Sequence, residues 1–148
     1  MSVKLITGMN LENAIISLKR EPVMSFATSM DDQPHVRFMA LANYKEKFYC
    51  VTFKSRPKIE QLLSNPKFSF VILLEGKGTT GSIRCRGTTE IITDINLKKE
   101  VAEVIPWHSN YWDDYNDPEF TLIRLHINHV MTFDPESKEK INFENLEL

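Results

Sequence analysis

A chain of 148 residues, 42% of them hydrophobic and 26% charged, has ordinary globular composition and reads as one domain, 1–148, that folds without metal or disulfide support. Its net charge of −2 excludes broad binding to nucleic acid or to anionic membrane surfaces, so any cationic feature must be local. No segment approaches the ~18 apolar residues of a membrane span, and residues 1–22 lack the long apolar run of a secretory leader; the expected compartment is the cytoplasm.

In chain order, NLENAIISLKREP sets Leu11, Ala14, Ile15 and Leu18 on one helical face, with Asn10 as N-cap and Pro22 beyond the end. VMSFATSM (23–30) reads as a strand, DDQP (31–34) as a turn, HVRFMALANY (35–44) as a strand, KEK (45–47) as a turn and FYCVTF (48–53) as a third strand. Connections this short predict an antiparallel meander. Pro57 opens a helix that Asn65 and Pro66 end. KFSFVILLE (67–75) is the next strand, GKGTTG (76–81) a turn region, and SIRCRGTTEIIT (82–93) a strand alternating Ile83 and Cys85 against Ser82, Arg84 and Arg86. Cys50 and Cys85, without a CxxC-type neighbour, are expected to be buried free thiols.

Asp94 caps a helix over INLKKEVAEVI, where Leu97, Val101, Val104 and Ile105 recur at helical spacing before Pro106. The aromatic loop WHSNYWDDYNDPEF then leads to FTLIRLHINHVMTF (120–133), one bent strand or two short ones, and to a C-terminal tail, 136–148. Six or seven strands with three intervening helices predict a mainly β, barrel-like antiparallel sheet with peripheral helices.

The helix at Pro57 starts with the wrong charge. Lys58 lies in its first turn beside Arg56 and no acid precedes Glu60, whereas free N–H groups and the macrodipole favour anions there by about 0.3–1 kcal/mol. Thr52 at a strand end, Ser55 in the turn and Lys58 offer hydroxyls, amides and an ammonium, a set that suits a phosphate. The competing reading is a simple Ser55 cap with both cations in solvent. Arg37 shares a strand face with His35, Met39 and Leu41 and interrupts an apolar row. It wants an anion, unless it lies at a sheet edge and reaches water or an acid.

The order of these residues resembles a known family. The motifs are PHVR, then Thr-x-x-Ser-x-x-Lys, then Gln-Leu-x-x-Asn-Pro, inside the run MSFATSMDDQPHVRFMALANYKEKFYCVTFKSRPKIEQLLSNPKFSFVIL. With RGTTEIITD, in which Gly87 and Glu90 fall in place, and YWDDYNDPEFTLIRLHINHVMTFDP, they resemble the flavin-binding split-barrel family related to pyridoxamine 5'-phosphate oxidase, particularly its short, general-stress-protein-like members. The likeness spans residues 10 to 135. It implies a six-stranded antiparallel split barrel, FMN as cofactor, and a homodimer with flavin at the subunit interface. It also implies Arg37 and Lys58 on the FMN phosphate with hydroxyls from Thr52 and Ser55. Phe38, Met39, Ala40 and Val51 would line the isoalloxazine ring and ribityl chain, and Ser82 would reach the flavin from a facing strand. Relatives of this barrel use a deazaflavin or haem, or no cofactor; Arg37, Thr52, Ser55 and Lys58 together favour a phosphorylated flavin. The tail MTFDPESKEKINFENLEL lacks the tryptophan-and-arginine segment of the oxidase proper, so vitamin B6 synthesis is not expected.

The aromatic group Trp107, His108, Tyr111, Trp112 and Tyr115 covers either a core or a subunit interface, or else supplies one ring, Trp107 first, over the partner subunit's flavin. His126 and His129, three apart on a strand, are expected on opposite faces, which argues against a shared metal. No Ser-His-Asp, Cys-His or paired-carboxylate pattern points to hydrolytic or acyl-transfer chemistry. The expected function is that of an FMN-dependent oxidoreductase drawing electrons from a reduced nicotinamide or another small molecule, because the cofactor carries that chemistry. The alternative is a non-catalytic flavin-binding stress or sensor protein.

Overall fold

The structure, a computed structural model, describes residues 9–76 and 78–148. In the first half of the chain lie helix α1 (Leu11–Lys19), strands β1 (Val23–Met30), β2 (Gln33–Ala40), β3 (Ala42–Tyr44) and β4 (Lys47–Phe53), and helix α2 (Pro57–Ser64). Strands β5 (Lys67–Gly76) and β6 (Thr79–Ile92), helix α3 (Ile95–Val104), and strands β7 (Phe120–Phe133) and β8 (Lys140–Phe143) follow. All pairings are antiparallel and the lateral order is β2-β1-β5-β6-β7-β4-β3.

Strands β2 and β3 are separated by Leu41 alone, yet they end up at opposite ends of that order. The sheet must therefore curl until its edges face each other, which is the shape of a split barrel. Leu41 makes the break: its N–H leaves the ladder for the carbonyl of Pro22, at 3.0 Å, while its side chain is buried. The expected continuous strand 35–44 is thus two strands. A second departure is the tail, which adds β8 alongside β7 beyond the point where β4 stops. The described residues hold eight strands rather than the expected six, for these two reasons.

Both tight hairpins have left-handed backbone at their two central residues, Asp31 and Asp32 (φ 52° and 62°) and Lys45 and Glu46 (46° and 64°). This turn matches the twist of paired strands, and here the pairing imposes it on residues other than the preferred Asn-Gly. Gln33 and Pro34 already belong to β2 instead of the turn. Proline is tolerated because β2 is an edge strand, bonded only to β1.

The sheet is apolar on both faces. On the inner face Phe26, Phe48, Cys50, Ile83, Cys85, Ile123 and Leu125 pack against Ala14 and Leu18 of α1 and Ile59 and Leu62 of α2. On the outer face Tyr49, Val51, Ile92 and Leu122 take Val101 and Ala102 of α3, while Val104 is half exposed. Alternation along β4 explains how one strand feeds both cores. The caps are those the sequence indicates: Asn10 Oδ1 accepts from Asn13 N–H, and Asp94 Oδ1 from the N–H groups of Asn96 and Leu97. Both cysteines are free and buried, and burial pushes the Cys50 thiol up to about 12 and raises Cys85 as well, so neither is an available thiolate.

A register shift between Arg86 and Gly87 makes Asn128 an extra residue on β7. Ile127 and Val130 consequently both face the inner core, and His126 and His129 both lie on the outer face. This corrects the expectation of opposite faces, which assumed an unbroken period of two. Each ring is separately engaged: His126 Nε2 lies 2.8 Å from Glu90 Oε1, and His129 Nε2 3.1 Å from Asn142 Oδ1.

Candidate functional site

The site forms where β2, the edge strand, passes α2. Arg37 points inward from β2, and its Nη1 donates to Thr28 Oγ1 at 2.9 Å and to the Phe26 carbonyl at 3.4 Å. Its Nη2 donates to Gln61 Oε1 at 2.6 Å, an oxygen that also accepts from the Thr28 hydroxyl at 2.6 Å. Lys58, one position into α2, donates from Nζ to Thr52 Oγ1 at 3.0 Å. Arg37, Lys58 and Gln61, with Pro34, His35, Val36 and Pro57, line an open cleft of about 500 Å³.

Every partner of these two cations is a neutral oxygen. Among the described residues no carboxylate lies within ion-pair distance of Arg37, Arg56 or Lys58. Burial draws the Arg37 pKa down, and burial together with Arg37 and Arg56 does the same to Lys58. The site therefore holds uncompensated positive charge that a bound anion would relieve. Arg37 lies half-buried on the edge strand, as the competing reading expected, but among the described residues it pairs with no acid.

The other residues singled out in the sequence are distributed differently. Ser55 is turned away: its N–H and Oγ both donate to Glu119 Oε2, at 3.0 and 2.9 Å. Met39 and Val51 belong to the inner and outer cores respectively. Phe38 lies on the opposite face of β2 from Arg37 and is 80% exposed. Ala40 shares that outer face, and so does Ser82, opposite Phe133 on β7 and Leu73 on β5. Trp107 packs on Tyr111 and Trp112 in the aromatic cluster beside α3, which reaches the site's turn through Phe53, whose ring is tilted against Trp112 at 5.0 Å and lies under Arg56 at 5.2 Å. Thus one chain brings together Arg37, Lys58 and Thr52, and leaves Phe38, Ala40 and Ser82 on an uncovered surface.

Thr28, Gln61 and Glu119 were not foreseen as site residues. Gln61 carried a usable signal, since it lies between Ile59 and Leu62 on the face of α2 that is buried. A buried amide must find a partner.

Inside the aromatic cluster His108 is buried against Trp112 and Phe120, with ring centroids at 5.2 and 4.5 Å, and its Nε2 has no hydrogen-bond partner among the described residues. Burial lowers its pKa, although Asp114 and Asp117 oppose the shift. Below its ordinary value of 6.5 the unfolded chain takes up a proton that the folded chain resists, so stability rises with pH across the window from the lowered pKa to 6.5. Thermal melts are expected to show a lower Tm at about pH 5 than at about pH 7.5, with His108→Gln flattening the difference. An equal drop in the variant would assign it to another group.

A curled antiparallel half-barrel, with a cleft lined by Arg37 and Lys58 between its edge strand and a proline-started helix, has the architecture of a split barrel. The family model described as pyridoxamine 5'-phosphate oxidase matches residues 13–134, and the chain belongs to that family. No curated protein matches. Among solved structures the fold is similar to General Stress Protein 26 from Bacillus anthracis str. Sterne, with 23% identity over 91% of this chain and 100% of that one and a TM-score of 0.70. It is also similar to an FAD-binding protein from Mesorhizobium loti (22% identity, 82% and 92% of the two chains, TM-score 0.68). A haem-binding protein from Mycobacterium smegmatis shares it at 9% identity over 95% of this chain and 60% of its own (TM-score 0.74). No helix among the described residues is long and apolar enough to cross a membrane.

Proposed function

We propose that this chain binds FMN as a homodimer and works as a flavin-dependent oxidoreductase on a small-molecule or reduced nicotinamide donor. The observation that carries the reading is the cationic cleft: Arg37 and Lys58 line it, Arg56 adds to the field at Lys58, no carboxylate among the described residues forms an ion pair with any of the three, and a phosphate monoester supplies the missing charge. Arg37 and Lys58 hold that phosphate, with Thr28, Gln61 and Thr52 fixing the two cations from behind. Bound flavin would supply the hydride chemistry, and the chain's task is to orient the ring and limit water around it.

The homodimer accounts for the uncovered half of the outer face. There Val36, Phe38 and Leu73 are 71%, 80% and 67% exposed, next to Ser82 and Phe133. A second copy laid on this face would bury those side chains and bring Ser82 toward the partner's flavin. The reading of FMN in place of FAD or haem is supported by a cleft whose two lining cations, Arg37 and Lys58, suit a single phosphate.

The test is a visible absorption spectrum of the purified protein after incubation with FMN and desalting. A retained two-band flavin spectrum that bleaches with NADH, NADPH or a small reduced donor and returns in air is the expected result. Retention without bleaching would leave the non-catalytic flavin carrier, and a Soret band or a colourless protein would overturn FMN as the cofactor.

A further inference from the structure

Among the described residues Glu119 is the one carboxylate bonded to the turn that leads into α2, and it comes from 64 residues away. It lies at the end of the acidic loop, one residue before β7, and the pairing of Phe120 with Phe53 fixes its backbone beside the turn. Its own carbonyl accepts the Lys54 N–H at 2.8 Å, so main chain and side chain grip two successive residues of the turn, Lys54 and Ser55. The helix has no side-chain cap of its own, because Arg56 occupies that position. Half-buried Glu119 therefore takes both Ser55 donors, which face the same end of α2 as Arg56 and Lys58.

We propose that Glu119 is a specificity-determining residue of the phosphate site. It keeps Ser55 occupied, so that the phosphate is held by Arg37 and Lys58 alone, and its charge opposes any oxyanion that approaches the turn. The inference rests on the flavin-phosphate reading above. A phosphate oxygen bonded to Ser55 would sit against the Glu119 carboxylate, and two anions sharing one pair of donors repel each other. The consequence is a site whose affinity for phosphate monoesters is held below what its cations and turn amides would otherwise give.

Glu119→Gln keeps the side chain's size and an acceptor for Ser55 while removing the charge. It is expected to bind FMN about three- to tenfold more tightly than wild type, because the repelling carboxylate is gone and the weaker amide acceptor releases Ser55 to the phosphate. Riboflavin, with the same ring and ribityl chain but no phosphate, should bind both proteins equally. Ser55→Ala in the wild-type background should change FMN affinity less than about twofold, and in the Glu119→Gln background it should erase the gain. Unchanged or weaker FMN binding by Glu119→Gln, a parallel change for riboflavin, or a large loss in the single Ser55→Ala variant would overturn the proposal. If neither protein retains FMN, it is the cofactor reading that fails. The Glu119 question is then answered by thermal shift with inorganic phosphate: a larger stabilisation of Glu119→Gln supports competition, and equal shifts refute it.

Discussion

Gly87→Ala is expected to leave the protein largely unfolded or to cost about 3 kcal/mol or more of a total stability that for most domains is about 5–15 kcal/mol. Gly87 sits on β6 at the register shift, opposite the bulge that Asn128 makes in β7. A Cβ there would stand 1.8 Å from the carbonyl oxygen of His126 and 2.9 Å from its carbonyl carbon. Both are backbone atoms of the central strand pair, so relief requires moving a strand rather than a rotamer. Gly78→Ala is the control: its φ is +70° but nothing lies within 4 Å of a Cβ, so the cost is backbone strain alone, about 1 kcal/mol. Chemical denaturation of the two variants checks the contrast. A Gly87→Ala midpoint at the wild-type value would mean the strands do not approach this closely.

Arg37→Ala and Lys58→Ala should each weaken FMN binding by about 1–3 kcal/mol, roughly five- to 150-fold, because each removes a charge-assisted bond to the phosphate. The effects should not add, since both groups serve one anion. Their effects on the free protein should differ from those on binding. Lys58 carries a pKa lowered by burial and by Arg37 and Arg56, so its charge opposes folding, and Lys58→Ala should leave the ligand-free Tm unchanged or raise it. Arg37→Ala removes bonds to Thr28 and Gln61, but these two remain bonded to each other at 2.6 Å, so the loss of stability should stay modest. Isothermal titration with FMN and riboflavin, alongside melts without ligand, separates the two effects. Unaltered FMN affinity in both variants would sink the assignment of the phosphate site.

Local signals were legible wherever a residue acts on its own neighbourhood. Asn10 and Asp94 cap the helices they precede, Pro57 opens α2, and short polar turns join antiparallel strands, because caps and turns are decided within a few residues. Arg37 and Lys58 stood out for the same reason, one against an apolar alternation and the other against a helix dipole. The failures all involve a distant partner. The break at Leu41 depends on the carbonyl of Pro22, the eighth strand on a free stretch of β7, and the common face of His126 and His129 on a bulge set by β6. Ser55 reads locally as a phosphate ligand, and a carboxylate from the far end of the aromatic loop claims it instead.

By itself the sequence determined the three helices and most of the strand segments, the antiparallel hairpin connections, and the presence of two cations that no neighbouring acid neutralises. Periodicity, capping and local charge are short-range properties, and these follow from them. Only the tertiary structure decided that β2 and β3 close opposite edges of a curled sheet, that Arg37 and Lys58 meet across one cleft backed by Gln61, and that Glu119 stands guard over Ser55. Those are contacts between residues far apart in the chain, and the free energy that selects them comes from burying both faces of one sheet at once.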